Sequence, residues 1–148
     1  MRLPLVLLAP AALSVALCTS VRSENLVAQA GATLTPRAAL AKQIQTIAFE
    51  FASNLENYSL VEKVEGLSWK LILMSEGLSS CALPAYDLPD RMESLNTQYF
   101  YSKQSLESLP ANTPGSIRDE SKSMMESSLD GTKKEVAKVL GNLIKYCK

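Results

Sequence analysis

A stripe of seven apolar residues is the feature that most constrains how this chain can fold. Its members recur at alternating steps of four and three residues, which places them on one face of an α-helix. The stripe consists of Leu60, Val64, Leu67, Leu71, Met74, Leu78 and Cys81. Ile72 and Leu73 widen the apolar face, so a helix over residues 59–81 needs partners on several sides. The sequence therefore predicts an all-α fold in which other helices pack around this one.

A first partner helix precedes this stripe. Thr35-Pro36 is typical of a helix start, with a threonine N-cap and a proline at the first helical position. The stripe that follows consists of Leu40, Ile44, Ile47, Phe51, Leu55 and Tyr58. At about 100° per residue, it points to the opposite face from the stripe that begins at Leu60. A single straight helix would expose one of the two stripes, so the chain is predicted to turn near residues 57–59.

Two further helices are predicted towards the C-terminus. Leu83-Pro84 is expected to end the second helix, and Asp87 is expected to cap a third. A fourth segment opens at Thr113-Pro114 and runs to the end of the chain. Asp130-Gly131 interrupts its stripe, which leaves either one long kinked helix or two shorter ones. Four amphipathic helices with short links predict an antiparallel up-down four-helix bundle over residues 35–148.

The N-terminal residues are typical of a secretory signal. A basic residue is followed by an apolar run of about fifteen residues, which is short for a membrane span. We expect residues 1–20 to be removed, although Ala28-Gln29-Ala30 would place cleavage as late as residue 30. Residues 21–34 then form a flexible N-terminal segment. As an alternative, Cys18 would carry a bacterial lipid. The mature protein is predicted to be secreted or extracytoplasmic (periplasmic in a bacterium), with no transmembrane segment.

The cysteines provide a test of this topology. Once the signal is removed, Cys81 and Cys147 remain. If the helices alternate in direction, the ends of the second and fourth helices lie at the same pole. Each cysteine lies at one of these ends, on its own apolar stripe. The sequence therefore predicts one disulfide joining the ends of helices 2 and 4, in keeping with an oxidising compartment.

The composition argues against an enzyme. The chain has no histidine, which removes the commonest general base and the commonest metal ligand. Fifteen basic and fifteen acidic residues leave it nearly neutral, so no electrostatic argument favours nucleic acid. The carboxylate pairs Glu62/Glu65 and Asp87/Asp90 are interpreted as acidic residues that favour a helix N-terminus. We therefore predict no catalytic residues, no metal site and no cofactor.

Aromatic residues off the apolar stripes are the candidate contact residues. Trp69 lies away from the stripe of its helix, where either the N-terminal segment covers it or it anchors an interface. Phe100 and Tyr101 must face a flank or solvent, either as packing at the edge of the core or as part of a partner surface. Asn57-Tyr58-Ser59 is a glycosylation sequon at the predicted turn, so Asn57 is a candidate acceptor.

These observations predict a non-enzymatic interaction protein with a protein partner, such as a binding module, inhibitor, effector or surface protein. The alternative is a carrier of a small apolar ligand in the bundle core. Two features favour this alternative. Methionines can line an adaptable apolar cavity, and small polar residues at or near the stripes of the third and fourth helices imply either close helix approach or a less well-filled core. The small polar residues are Ser102, Ser121, Ser128 and Thr132.

Overall fold

The computed structural model describes residues 34–148, which fold into four α-helices. The helices are α1 (Pro36–Ser53), α2 (Ser59–Met74), α3 (Ser79–Glu107) and α4 (Gly115–Tyr146). The predicted all-α class is confirmed, since residues 34–148 contain no β-strand. The predicted signal over residues 1–20 lies outside the described residues, as does nearly all of the predicted segment 21–34.

The start of α1 follows from its sequence. The Thr35 hydroxyl accepts a hydrogen bond from the Ala38 amide at 3.1 Å, and Pro36 occupies the first helical position. The cap satisfies one of the amide groups that a helix start leaves without an internal partner. The chain then leaves α1 after Ser53 and begins α2 at Ser59, so the turn between the two stripes lies where it was predicted.

The predicted second helix was too long. It was expected to continue to Cys81, but α2 ends at Met74 and α3 begins at Ser79. Gly77 lies in the turn between them with φ +73°, a left-handed conformation that glycine adopts at little cost. The last three residues of the long stripe therefore fall in different elements: Met74 ends α2, Leu78 lies in the turn, and Cys81 lies in the first turn of α3.

The predicted break at Leu83-Pro84 is also wrong. α3 continues through both Pro84 and Pro89, although each proline removes one hydrogen bond from the helix interior. The helix persists because it buries a continuous face: Ala85, Leu88, Met92 and Leu95 are all fully buried. Asp87 is consequently a mid-helix residue rather than a cap. Its carboxylate pairs with Arg91 at 3.3 Å, and Arg91 also reaches Glu135 of α4 at 3.0 Å.

α4 is one uninterrupted helix of 32 residues. Of the two arrangements left open by Asp130-Gly131, the structure therefore has the continuous one. Leu129 and Val136 lie two turns apart on either side of Gly131 and are both buried, so the core-facing stripe passes this point intact. Thr132, on the same face, donates a hydrogen bond from its hydroxyl to Gln98 Oε1 of α3 at 2.6 Å.

The core lies among all four helices. Contacts join α1 to α2, α2 to α3, α3 to α4, and α1 to α4. The largest fully buried side chains include Phe51, Leu60, Leu71, Leu88 and Leu143. Asn96, the buried amide of α3, donates a hydrogen bond to the Leu55 carbonyl in the α1–α2 turn, which satisfies that part of the turn backbone.

The core does not extend along the full length of α3 and α4. No side chain between Asn96 and Leu129 is buried. The reason is a mismatch in helix length: at about 1.5 Å per residue, α1 is about 27 Å long and α3 about 43 Å. The ends of α3 and α4 around their connection are therefore left without cover from α1 and α2. We call residues 97–128 the distal hairpin.

The predicted disulfide is present. Cys81 and Cys147 are bonded, with their Cα atoms 4.9 Å apart, and both are buried. Because α2 ends earlier than predicted, the bond links the first turn of α3, not the end of the second helix, to the residue that follows α4. It therefore fixes the two longest helices to each other at the end opposite their connecting turn.

Loss of this bond is expected to destabilise the fold strongly. The cysteines are 66 residues apart, and closing a loop of that length restricts the unfolded chain by roughly 4 kcal/mol. Reducing agent should lower the free energy of unfolding, measured in denaturant, by about that amount. The double variant Cys81→Ala/Cys147→Ala should be comparably weakened and indifferent to reducing agent. A wild-type protein equally stable in both conditions would contradict the prediction.

Candidate functional site

An exposed position of α2 carries the only tryptophan of the chain. Trp69 is 51% exposed, and its ring meets that of Tyr86 from α3 edge to face, with the ring centroids 6.2 Å apart and the planes at 84°. This geometry is a favourable one for aromatic pairs. Tyr86 is itself 60% exposed. The two rings therefore form an aromatic corner at the surface between α2 and α3.

A small pocket opens beside this corner. It has a volume of about 180 Å³ and lies between α2 and α3. We call it the Trp69 pocket. Its lining includes Glu65, Ser68, Trp69, Tyr86, Pro89 and Asp90. Each helix contributes one aromatic ring and one carboxylate spaced four residues apart, which places them on the same helix face. Neither carboxylate has a basic partner within 4 Å among residues 34–148.

Ser68 is the unusual member of the pocket. It is 2% exposed, and its hydroxyl has no hydrogen-bond partner in the described part of the chain. Ser75, also buried, behaves in the usual way: its hydroxyl donates to the Leu71 carbonyl at 2.6 Å and lies 3.0 Å from Cys81 Sγ. A buried hydroxyl without a partner costs free energy, so Ser68 weakens the isolated fold at this position.

The second predicted aromatic group lies elsewhere. Phe100 and Tyr101 are exposed on α3, and Phe100 packs edge to face on Tyr99, with the ring centroids 5.8 Å apart. From Tyr86 to Phe100 the helix rises about 21 Å. The structure therefore does not bring the predicted contact residues Trp69, Phe100 and Tyr101 together, and it places them on two separate surfaces.

Tyr99 is held by a polar cluster at the α1–α2 turn. Its hydroxyl donates to Glu56 Oε1 at 2.9 Å, and the Lys103 ammonium contacts the same carboxylate. Hydrogen bonds from Lys103 and Tyr99 lower the pKa of Glu56, while the bond to Glu56 raises the pKa of both Tyr99 and Lys103. This cluster orients the segment from which Phe100 projects.

A wider groove lies between α3 and α4 in the distal hairpin. It has a volume of about 380 Å³. Its walls include Tyr101 and three of the small polar residues singled out from the sequence, Ser102, Ser121 and Ser128. The apolar lining comes from Leu106, Leu109, Met124 and Met125. The groove lies where the core has ended, so the small residues line an open surface rather than an enclosed cavity.

Asn57 lies in the turn before α2. It is partly exposed, and its Oδ1 accepts a hydrogen bond from the Ser59 hydroxyl at 2.6 Å. This contact joins the first and third residues of the sequon, and glycosylation at Asn57 remains a prediction. Across residues 34–148, no group of three or more Cys, Asp or Glu side chains is arranged to hold a metal ion.

Sequence reasoning identified Trp69 but missed Tyr86, Asp90 and Ser68 as its neighbours. Tyr86 was missed because Pro84 was taken as a helix end, which placed this residue in a link. With α3 extended through the proline, the spacing of Tyr86 and Asp90 would have indicated a shared helix face. Nothing in the sequence marks the Ser68 hydroxyl as lacking a partner, because that depends on how α2 packs.

Comparison with protein-family models, curated protein sequences and solved structures finds no match to this chain. The candidate site is therefore defined by its own residues and geometry.

The two buried serines are expected to respond in opposite directions to the same substitution. Ser68→Ala should raise the free energy of unfolding by about 1 kcal/mol, because it removes a buried hydroxyl that has no partner. Ser75→Ala should lower it by about 1 kcal/mol, because it removes a satisfied hydrogen bond. Denaturant unfolding of both variants measures the difference. A loss of stability in Ser68→Ala as large as that in Ser75→Ala would show that the Ser68 hydroxyl has a partner after all.

Proposed function

We propose that this chain is an exported, non-enzymatic interaction protein that contacts a protein partner through the surface around Trp69. The observation that carries the proposal is the pair of exposed rings, Trp69 and Tyr86, above a pocket. Tryptophan and tyrosine, with arginine, are enriched among the residues that dominate binding energy at protein interfaces.

Further exposed apolar residues lie one helical turn from each of the two rings. Leu73 follows Trp69 by one helical turn and is 73% exposed, and Leu83 precedes Tyr86 by one turn and is 67% exposed. An apolar group of this kind, bordered by the carboxylates of Glu65 and Asp90, has the composition expected of an interface centre with a polar rim.

We further infer that the four helices form an up-down antiparallel bundle. The turns between them are short, comprising residues 54–58, 75–78 and 108–114. Each helix contacts the next, and α1 contacts α4, which is the neighbour pattern of such a bundle. In this arrangement the Trp69 surface belongs to a rigid scaffold rather than to a loop.

The compartment is inferred from the cysteines and the leader. A buried disulfide is typical of proteins that fold outside the reducing cytosol. None of the helices in residues 34–148 is long and apolar enough to cross a membrane. The disulfide and the leader-like N-terminus together support secretion or an extracytoplasmic location.

The proposal predicts that partner binding depends on Trp69. Trp69→Ala should leave the fold intact, because half of the side chain is already in water, but should weaken capture of the partner tenfold or more. Immobilised wild-type and variant proteins are incubated with the exported fraction of the source cells, and bound proteins are quantified by mass spectrometry.

The matched control is Phe49→Ala, which removes an equally exposed aromatic ring from α1. A genuine partner is retained by Phe49→Ala and lost by Trp69→Ala. If no captured protein distinguishes the two variants, the Trp69 surface is not the interface.

A second candidate function is the carrier of a small apolar ligand. The groove in the distal hairpin favours it, because a volume of about 380 Å³ lies within the usual range of ligand pockets. Its lining of two leucines and two methionines is adaptable and apolar.

The carrier function predicts bound mass. Native mass spectrometry of protein purified from its source should show a species heavier than the denatured chain, and Ser121→Leu, which narrows the groove, should reduce the fraction that carries the extra mass. Lys122→Leu, its exposed neighbour, should leave the extra mass in place. A native mass equal to the denatured mass would rule out a retained ligand.

A further inference from the structure

The Trp69 pocket has the features of a receptor for one positively charged side chain. Its volume of about 180 Å³ is below the roughly 300–1,000 Å³ of pockets that hold drug-sized ligands. It is therefore too small for a cofactor and suits the end of a single side chain or a molecule of similar size.

Charge determines which side chain the pocket would favour. Glu65 and Asp90 bring two carboxylates to the pocket, and neither is neutralised by a basic residue within 4 Å in the described residues. Trp69 and Tyr86 add aromatic rings, which attract cations to their faces. Carboxylates and aromatic rings together favour an organic cation over a neutral or anionic group.

The Ser68 hydroxyl supplies a second, independent observation. Ser68 lines the pocket, and its hydroxyl is buried and lacks a hydrogen-bond partner among residues 34–148. A hydroxyl oxygen can accept a hydrogen bond from an N–H donor. A cationic N–H group entering the pocket would offer a donor to this hydroxyl once χ1 rotation of Ser68 turns the oxygen toward the pocket. Among residues 34–148, this oxygen is the one buried side-chain polar atom without a partner.

Among organic cations, the guanidinium group matches this set best. It is planar, so it can stack on an aromatic ring, and its five N–H donors can reach two carboxylates and a hydroxyl at once. A lysine ammonium is a compact and strongly hydrated charge with three donors, and it gains less from packing against an aromatic ring.

We propose that the Trp69 pocket binds an arginine side chain of the partner protein. This inference rests on the proposed function, because it names the group that the Trp69 surface recognises. In the complex, Glu65 and Asp90 accept hydrogen bonds from the guanidinium, the Ser68 hydroxyl turns toward the pocket and accepts one, and the aromatic corner packs against the guanidinium plane.

The test uses Nα-acetyl-arginine amide as the probe and the fluorescence of Trp69 as the signal. Trp69 is the only tryptophan, so all tryptophan emission comes from a side chain that lines this pocket, and saturation distinguishes binding from the effect of solute in bulk solvent. We expect a saturable change, half-complete at about 1–10 mM, as befits a single side chain without the rest of an interface. The citrulline analogue, which has the same shape and no charge, should give no saturable change. The lysine analogue should bind at least threefold more weakly.

Variants of the folded protein locate the binding. The double variant Glu65→Gln/Asp90→Asn should weaken binding of the arginine probe at least tenfold. The control Glu62→Gln/Asp119→Asn makes the same change in net charge at exposed carboxylates outside the pocket and should bind normally. Ser68→Ala should weaken binding about threefold while leaving the protein at least as stable as the wild type.

Several results would overturn the inference. They are the absence of saturation up to about 100 mM arginine probe, an equal response to the citrulline analogue, equal binding by the lysine analogue, and equal losses in the two double variants. A partner lost by Trp69→Ala but fully retained by Glu65→Gln/Asp90→Asn would leave the proposed function standing and refute the arginine. Saturable binding of the arginine probe without any Trp69-dependent partner would support the arginine site and refute the proposed protein interface.

Discussion

Burial of one face of α3 is the interaction on which the rest of the molecule depends. Leu88, Met92 and Leu95 are fully buried against the other helices, and this burial holds the helix together through two prolines. If the helix ended at Pro84, Tyr86 and Asp90 would not lie one turn apart. The pocket beside Trp69 therefore exists because tertiary packing of α3 outweighs the tendency of Pro84 to end a helix.

The parts of the fold that were predictable from sequence are those set by periodicity and by local capping. The apolar stripes gave four helices and the turn near Asn57, and Thr35-Pro36 located the start of α1. The errors concern boundaries where two effects compete. Pro84 was expected to end a helix, but burial of the apolar face keeps the helix intact there. The apolar spacing continues unbroken from Leu60 to Cys81, so it gave no indication of the turn at Gly77.

Only part of the candidate site could be predicted, because periodicity describes one helix at a time. A tryptophan off its stripe is a feature of one helix, so periodicity alone identified Trp69. Its pairing with Tyr86 and the unsatisfied Ser68 hydroxyl depend on the register between α2 and α3, which no pattern within one helix encodes. The disulfide was predictable from the expected alternation of helix directions, which brings Cys81 and Cys147 to the same pole.

The difference in length between the helix pairs divides the chain by local stability. Between Asn96 and Leu129 no side chain is buried, and the contacts of Tyr99 and Lys103 with Glu56 tie only the start of this segment to the α1–α2 turn. Segments with so few buried contacts open at a fraction of the free energy of global unfolding. Amide hydrogens of the distal hairpin will thus exchange with solvent long before those near the disulfide. The tip at residues 108–114 is where a protease would first cut the folded chain, and where an inserted sequence would disturb it least.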